Sequence, residues 1–416
     1  MSLGIRHLRA FLAVADHGSA NKAARVLLRA QSAVTRSIHE LERELDVELF
    51  ERRAQGMLLT RFGQALLLRA RLIQVEMERA RRELLPYAIS RGRSRNAPIF
   101  DMLVPERRLQ ILVALTEQHH MPSVADSIGV TQPAVSMAIR HFEESIGVGL
   151  FDRTARGMLP TPAGAILALR VKRVLAESRN AVAEIAAMRG VTRGIVTVGA
   201  LPLGRTRWLP TAIARLVEAN PGLHVATVEG SFELLAAGLR AGEIDFILGA
   251  LRPADYATDL AGEQLLDDQL AVVVRSRHPW VRSKRIALQD LAGAKWALPR
   301  VGAPTRNLLE QALVSRGLPP PDVVLETSDL AVLRGVLLES DLLTAISPRQ
   351  LFYEFEARLL TVLPVPLPET QRRIGITQRV DSHPSPGATL LMGEIRRLCP
   401  VLMQDSAAAV HTRRAR

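Results

Sequence analysis

Gln31, Ser32, Thr35 and Arg36 bring a carboxamide, two hydroxyls and a guanidinium to one side of a short helical stretch. Gln132, Pro133, Ser136, Met137 and Arg140 form a matching set further along. A glutamine can make two hydrogen bonds to adenine, and a serine or threonine can meet a base edge or a phosphate. Arg52, Arg53, Arg153 and Arg156 follow these sets and are placed to touch backbone phosphate or a minor groove. The second half offers a different chemistry. Ser231, Thr305 and Ser328 each stand where a helix is expected to open, and a hydroxyl beside free N–H groups can hold a carboxylate, a phosphate or a sugar hydroxyl. Arg252, Arg300 and Arg306 lie on neighbouring loops and can clamp an acid. The sequence holds no G-x-S-x-G, H-E-x-x-H, G-x-x-x-x-G-K-[ST] or G-x-G-x-x-G, so neither catalysis nor a cofactor is expected. His119-His120 is the only adjacent histidine pair and has no acidic or cysteine cluster beside it, so no metal is expected either.

The elements that must hold the polar sets come as a repeat. Ala24, Gln31, Ala33, Val34, Ile38, Glu42, Leu49, Phe50, Arg52, Gly56, Thr60 and Gly63 recur without a gap as Ala125, Gln132, Ala134, Val135, Ile139, Glu143, Leu150, Phe151, Arg153, Gly157, Thr161 and Gly164, 101 residues on. In the second copy Arg107–Gln118 is amphipathic, a short helix follows from Ser123 to Ile128, and Gly129 breaks it. Thr131 is a good N-cap, Pro133 fits the first turn, and a third helix runs from about Gln132 to Ser145. Val135, Ile139, Phe142 and Ile146 form its inner face, which leaves the polar set outside. A helix-turn-helix with a free polar face at the start of its last helix fits the major groove. The stretches VELFERRAQGMLLT and VGLFDRTARGMLPT read as short hairpins whose turns suit Gly56 and Gly157.

Composition agrees. The net charge is +12, and residues 1–190 hold 28 Lys and Arg against 19 Asp and Glu, while the remaining 226 hold 26 against 23. The excess lies with the repeat, where it would draw in phosphates without specifying sequence. At 48% hydrophobic residues the chain is that of a folded protein, and 416 residues suggest roughly three domains. No apolar stretch approaches the ~20 residues of a spanning helix. The N-terminus lacks the clean apolar block of a secretion signal. One cysteine, Cys399, allows no disulfide framework and reads as a buried apolar residue. Together these point to the cytoplasm and to no membrane partner.

The residues resemble the LysR-type transcriptional regulators. In the second copy the resemblance is carried by Ala125, Gln132-Pro133-Ala134-Val135-Ser136, Phe142-Glu143, Gly147, Leu150-Phe151-Asp152-Arg153, Arg156-Gly157 and Thr161-Pro162-Ala163-Gly164. In the first it is carried by Ala23-Ala24, Gln31-Ser32-Ala33-Val34-Thr35-Arg36, Leu41-Glu42, Leu49-Phe50-Glu51-Arg52 and Thr60. The sequence departs from that pattern in having two such modules. Met137 replaces a basic residue often found at its position, which Arg36 keeps, and Arg61 stands where the second copy has Pro162. The resemblance implies double-stranded DNA at a promoter or operator as a partner, and a homo-oligomer, dimer or tetramer, with RNA polymerase as a further candidate.

After each module Leu66, Ala70, Ile73, Met77, Ala80 and Leu84, and Leu167, Val171, Val174, Ser178, Ala181, Ile185 and Met188, step by four and three as in a coiled-coil seam. In the resembled family this helix pairs with its counterpart in another subunit. Here the two can pair within one chain, because the connection, fully extended, reaches ~55–60 Å. From about Gly194 short strand candidates alternate with helices, which implies an α/β fold with mostly parallel pairing. The resemblance makes this half a two-lobed, periplasmic-binding-protein-like (type 2) effector domain, with a small molecule between the lobes near Pro202, Ser231, Arg252, Arg300, Thr305, Arg306 and Ser328. Gly199-Ala200-Leu201-Pro202-Leu203, Glu229-Gly230-Ser231, Gly249-Ala250-Leu251-Arg252 and Leu298-Pro299-Arg300 look like the galactose-binding-protein regulator subgroup, which favours a sugar or sugar-like acid, with an aromatic or dicarboxylic acid as the other organic acids open to it.

The expected organisation is therefore multidomain: two all-α-rich winged helix-turn-helix domains with linker helices, then the α/β effector domain. The boundaries are 1–63 for the first winged helix-turn-helix, 64–86 for its linker helix and 87–104 for a flexible basic linker. The second module takes 105–164, its linker helix 165–190 and the effector domain 193–402. Lobe I is about 193–268 and 367–402, lobe II about 269–366, and 403–416 is a disordered tail. Two other readings fit the same residues. One is a cytoplasmic small-molecule-binding protein or enzyme with a vestigial DNA module. The other is a regulator in which one winged helix docks protein instead of DNA.

Overall fold

The computed structural model describes residues 3–53, 56–89, 97–253, 255–283 and 285–411. The first module is α1 (Ile5–His17), α2 (Ala20–Val26), α3 (Gln31–Leu45), the antiparallel hairpin β1 (Phe50–Arg53) and β2 (Gly56–Leu59), and the long helix α4 (Arg61–Ile89). The second repeats it as α5 (Glu106–Gln118), α6 (Met121–Ile128), α7 (Gln132–Ile146), β3 (Phe151–Thr154), β4 (Gly157–Pro160) and α8 (Pro162–Met188). The likeness extends to single hydrogen bonds. Glu42 Oε1 accepts from Leu49 N at 2.9 Å, as Glu143 Oε1 does from Leu150 N at 2.8 Å. Thr60 and Thr161 cap their long helices through the N–H groups of Gly63 and Gly164. Gly56 and Gly157 adopt φ of 128° and 107°, and a Cβ on either would lie 2.5 or 2.2 Å from the carbonyl oxygen of Gly18 or His119, so the hairpin can pack there only with glycine.

The two modules share one hydrophobic core, and its spine is the pair α4 and α8. Leu66, Ala70, Ile73, Met77, Ala80 and Leu84 meet Leu167, Val171, Val174, Ser178, Ala181 and Ile185, and all twelve are buried. Ion pairs set the direction. Arg69, early in α4, reaches Glu177 and Glu184, late in α8, while Arg170, early in α8, reaches Glu76 and Glu83, late in α4. The helices are therefore antiparallel. Adding 101 to Arg69, Glu76 and Glu83 gives Arg170, Glu177 and Glu184, so each half of the network is the image of the other. This is the isologous pattern of a twofold dimer, built inside one chain.

The second half has two lobes. Lobe I holds β5 (Gly194–Ala200), α9 (Pro202–Arg205), α10 (Trp208–Ala219), β6 (Leu223–Val228), α11 (Phe232–Ala241), β7 (Phe246–Ala250) and β8 (Leu260–Gln269). The chain then crosses into lobe II, with β9 (Ala271–Arg275), β10 (Lys295–Leu298), α12 (Pro304–Val314), β11 (Asp322–Glu326), α13 (Leu330–Glu339), β12 (Thr344–Ile346), α14 (Phe352–Glu356) and β13 (Leu360–Val362). It returns as β14 (Gln371–Arg379) and α15 (Pro386–His411). The lobe I sheet runs β6-β5-β7-β14-β8, and in lobe II β9 lies between β12 and β13 while β10 pairs with β11.

Three expectations are corrected. Pairing is mixed, not mostly parallel: β5–β6, β5–β7 and β10–β11 are parallel, but β14 runs antiparallel to β7 and β8, and β9 antiparallel to β12 and β13. The reason for β14 is topological, since a strand that re-enters lobe I from lobe II must oppose β8, by which the chain left. The tail is not irregular from 403, because α15 continues to His411; residues 412–416 lie outside the described residues. The basic connection is only partly a linker. Residues 90–96 lie outside the described residues, but Ala97, Ile99, Met102 and Val104 are buried in the shared core.

Candidate functional site

Helices α3 and α7 present the same exposure pattern at every position but one, half-buried Glu40 against exposed His141. Gln31, Ser32 and Arg36 are exposed and Thr35 is partly so; Gln132, Pro133, Met137 and Arg140 are exposed and Ser136 is partly so. Val34, Ile38 and Leu41 pin the opposite face of α3, and Val135, Ile139 and Phe142 that of α7. Gln31, Ser32, Thr35, Arg36 and His39 line one shallow surface. The starts differ: Thr131 Oγ1 accepts from Ala134 N at 3.4 Å, whereas Ala30 gives α3 no side-chain cap. On the hairpins Arg53, Arg153 and Arg156 are exposed, Arg53 pairing with Glu51 at 2.8 Å. Arg52 lies in β1, with its side chain outside the described residues.

In lobe I, Pro202, Ser231 and Arg252 stand just past the C-terminal ends of β5, β6 and β7. Strand β5 pairs with β6 on one side and β7 on the other, so its end is the switch point of the parallel part of the sheet, where α/β folds form a crevice. Ser231 is exposed and its hydroxyl already caps α11 through Leu234 N at 3.2 Å. The Arg252 guanidinium lies 4.3 Å from the Phe232 ring centroid and 3.9 Å from Glu233. Glu233 is held below the usual carboxylate range by its own backbone N–H, with Ser231, Tyr256 and Arg252 adding to it. In lobe II, Arg300 is exposed beyond β10 and Ser328 beyond β11, while Thr305 is half-buried.

The model for the LysR substrate binding domain matches residues 189–400. The model for the bacterial regulatory helix-turn-helix protein, lysR family, matches residues 5–64 and again 107–165. The chain belongs to the LysR family of transcriptional regulators. Among its relatives, the HTH-type transcriptional regulator GalR of Pseudomonas putida is 44% identical over 394 residues, 95% of this chain and 97% of that one. The HTH-type transcriptional regulator PcaQ of Agrobacterium fabrum is 28% identical, over 71% of this chain and 95% of its own. Of solved structures, a full-length OxyR variant from Pseudomonas aeruginosa shares the fold with a TM-score of 0.53 at 23% identity, covering 70% of this chain and 95% of that one. CbnR, a LysR family transcriptional regulator, gives 0.51 at 19%, covering 71% and 99%. PcaQ, OxyR and CbnR are thus matched almost entirely yet leave close to a third of this LysR-family chain unaccounted for, the size of one extra winged helix with its long helix. GalR leaves no such remainder.

Several effector-site expectations for this LysR-family regulator need correction. Arg306 is not on a loop. It sits in α12, buried, bonded to Glu310 at 2.7 Å, to Glu326 at 2.5 Å and to Pro299 O at 3.2 Å, so its charge is spent inside lobe II. Ala303, not Thr305, is the N-cap of α12, and Asp329, not Ser328, caps α13, its carboxylate accepting from Val332 N at 2.8 Å. An aspartate next to a serine is as good a cap, and the sequence alone does not choose between them. His120 caps α6 through Ser123 N, and no group of three or more metal-binding side chains exists among the described residues. Sequence reasoning missed the polar knot between the lobes. Ser347 Oγ donates to Asp268 Oδ1 at 2.6 Å, Arg372 Nε to Asp268 Oδ2 at 2.8 Å, and Thr206 Oγ1 to Gln350 O at 3.0 Å. No local motif marks these residues, since each partner lies far away in the chain.

Proposed function

We propose that this regulator reads DNA with both winged helices at once and is controlled by a small sugar or organic acid held between the lobes of its second half. The single observation that carries the reading is the shared exposure pattern of α3 and α7: apolar positions are locked inward, and Gln31, Ser32, Arg36 and Gln132, Met137, Arg140 are left to solvent. A module kept only for packing would bury the start of its third helix against protein, and both starts, Gln31-Ser32 and Gln132-Pro133, are exposed. Gln31 and Gln132 suit adenine, Ser32, Thr35 and Ser136 a base edge or phosphate, and Arg53, Arg153 and Arg156 the flanking backbone. The ligand lies at the ends of β5, β6 and β7, with Pro202, Ser231 and Arg252 from one lobe and Arg300, Thr305 and Ser328 opposite. Its control of DNA binding requires that it favour one arrangement of the lobes over another. The protein works in the cytoplasm and turns nothing over.

Footprinting on the promoter region beside its own coding sequence, with and without a panel of sugars and organic acids, tests this. Gln31→Ala/Arg36→Ala and Gln132→Ala/Ser136→Ala are each expected to remove protection from a different group of bases. Each pair should weaken binding by about 10-fold or more. If one pair leaves the footprint untouched, that module does not read bases.

A further inference from the structure

Family relatives with one winged helix need a second subunit to complete a pair. In this chain the pair is already complete, because the Arg69 and Arg170 networks are images of each other across the α4–α8 seam. The axis is only approximate in the residues that face outward. Gln31 and Gln132 agree, but Ser32 faces Pro133, Thr35 faces Ser136, Arg36 faces Met137 and His39 faces Arg140 in the repeat. The Arg36–Met137 difference is the sharpest. Arg36 is exposed and makes no ion pair among the described residues, so its fork is free for guanine O6 and N7. Met137 is 65% exposed, has no donor, and suits a thymine methyl. The effector half breaks the symmetry further: His383 O and Pro384 O accept from Arg69 at 2.8 and 3.3 Å, while Arg170, its image, makes its side-chain hydrogen bonds among the described residues only to Glu76 and Glu83.

We propose that one chain occupies a complete operator and reads it as an oriented, imperfect inverted repeat, with a guanine under Arg36 in one arm and a thymine under Met137 at the corresponding position of the other. Operator palindromy mirrors protein symmetry, so a pseudo-symmetric chain selects unlike arms. Because the single effector half sits on one side of the axis, unlike arms also fix which side of the operator it faces. A perfectly symmetric site would leave that orientation undecided. The inference rests on the reading that both α3 and α7 enter the major groove.

The test is selection by the full-length chain from duplexes with a random core of about three helical turns, roughly 30 base pairs, with native mass spectrometry of the selected complex. The wild type is expected to yield two unlike arms and one chain per duplex. Arg36→Met should lose the guanine from one arm and leave the other unchanged, and Met137→Arg should add a guanine to the second arm so that the two converge. Replacing the guanine by adenine should weaken wild-type binding roughly 5- to 150-fold and Arg36→Met binding only slightly. Both residues are exposed, so neither variant threatens the fold. A palindromic consensus, or two chains on each duplex, overturns the proposal while leaving DNA reading intact. Failure to enrich any sequence overturns the underlying reading as well.

Discussion

Leu28 stands at the turn between α2 and α3 with φ 52°, 94% exposed, where the second module has Gly129 at φ 70°. The hydrogen bonds around the two are the same: Arg29 N and Val130 N donate back to Ala24 O and Ala125 O. A leucine held there gains no burial and meets the left-handed region, which costs a non-glycine residue roughly 1–2 kcal/mol. Leu28→Gly is therefore expected to raise the urea midpoint of the DNA-binding half by about 1 kcal/mol of stability, less the extra entropy glycine has when unfolded. Gly129→Leu should lower it by a similar amount, and changes of the same sign in the two variants would contradict the geometry. The glycine that marks this turn is plain in the second copy, and the first copy hides the same turn behind a leucine. Arg306 shows the converse limit. Its setting beside Gly302-Ala303-Pro304 reads in sequence as a loop clamp; α12 brings Glu310 to it one turn on, and only the fold brings Glu326. Residues facing along one helix were legible from their spacing, and partners supplied by other elements were not.

The α4–α8 seam was legible for the same reason: two runs of apolar residues with one rhythm, at a constant offset, have complementary faces. The charged half of the seam was not, because Arg69 and Glu177 are joined by antiparallel packing and by nothing in their neighbourhood in the sequence. The network is symmetric in residue type and asymmetric in burial. The Arg69 side chain is 3% exposed and that of its image Arg170 12%; Glu177 is 6% against 10% for its image Glu76, and Glu184 26% against 40% for its image Glu83. Removing one member of a buried pair leaves a desolvated charge behind, which costs more than the intact pair contributes. Arg69→Met is expected to destabilise by about 3 kcal/mol and Arg170→Met by about 1 kcal/mol, since Glu177 keeps only Arg379, at 3.7 Å, whereas Glu76 keeps Arg79 and Arg173 and Glu83 turns to water. Denaturant titration of both variants decides the order. Arg69→Met/Glu177→Met should recover much of the loss, because two apolar groups then share the seam. If Arg170→Met proves the more costly, the seam is not organised as described.

Polar anchors tie both long helices to lobe I: Arg69 and Arg79 of α4 reach His383, Pro384 and Asp381, and Lys172, Arg173 and Glu177 of α8 reach Glu243, Arg240 and Arg379. Lys172 Nζ lies 2.7 Å from Glu117 at the end of α5 and 2.5 Å from Glu243 in lobe I, so one ammonium joins the second winged helix to the effector half. Burial pulls this lysine down, but the two carboxylates outweigh it and hold it above its ordinary value, so it stays charged. Arg173 Nε donates to Arg240 O at 2.5 Å, and Arg379 lies 3.7 Å from Glu177, itself a partner of Arg69. A displacement of lobe I therefore pulls directly on the seam that spaces α3 from α7, the route by which the ligand proposed between the lobes would alter the grip on DNA. Two halves joined this way should unfold together when the anchors are intact and separately when they are weakened. Lys172→Met/Arg379→Met removes one partly exposed and one enclosed contact, worth of order 1–3 kcal/mol together. The expected outcome in differential scanning calorimetry is a wild-type transition that takes lobe I with the DNA-binding half, split in the variant into two with lobe I melting first. A single unshifted transition in the variant would mean that Lys172 and Arg379 carry no coupling, which then rests on the Arg69 and Arg79 contacts to residues 381–384.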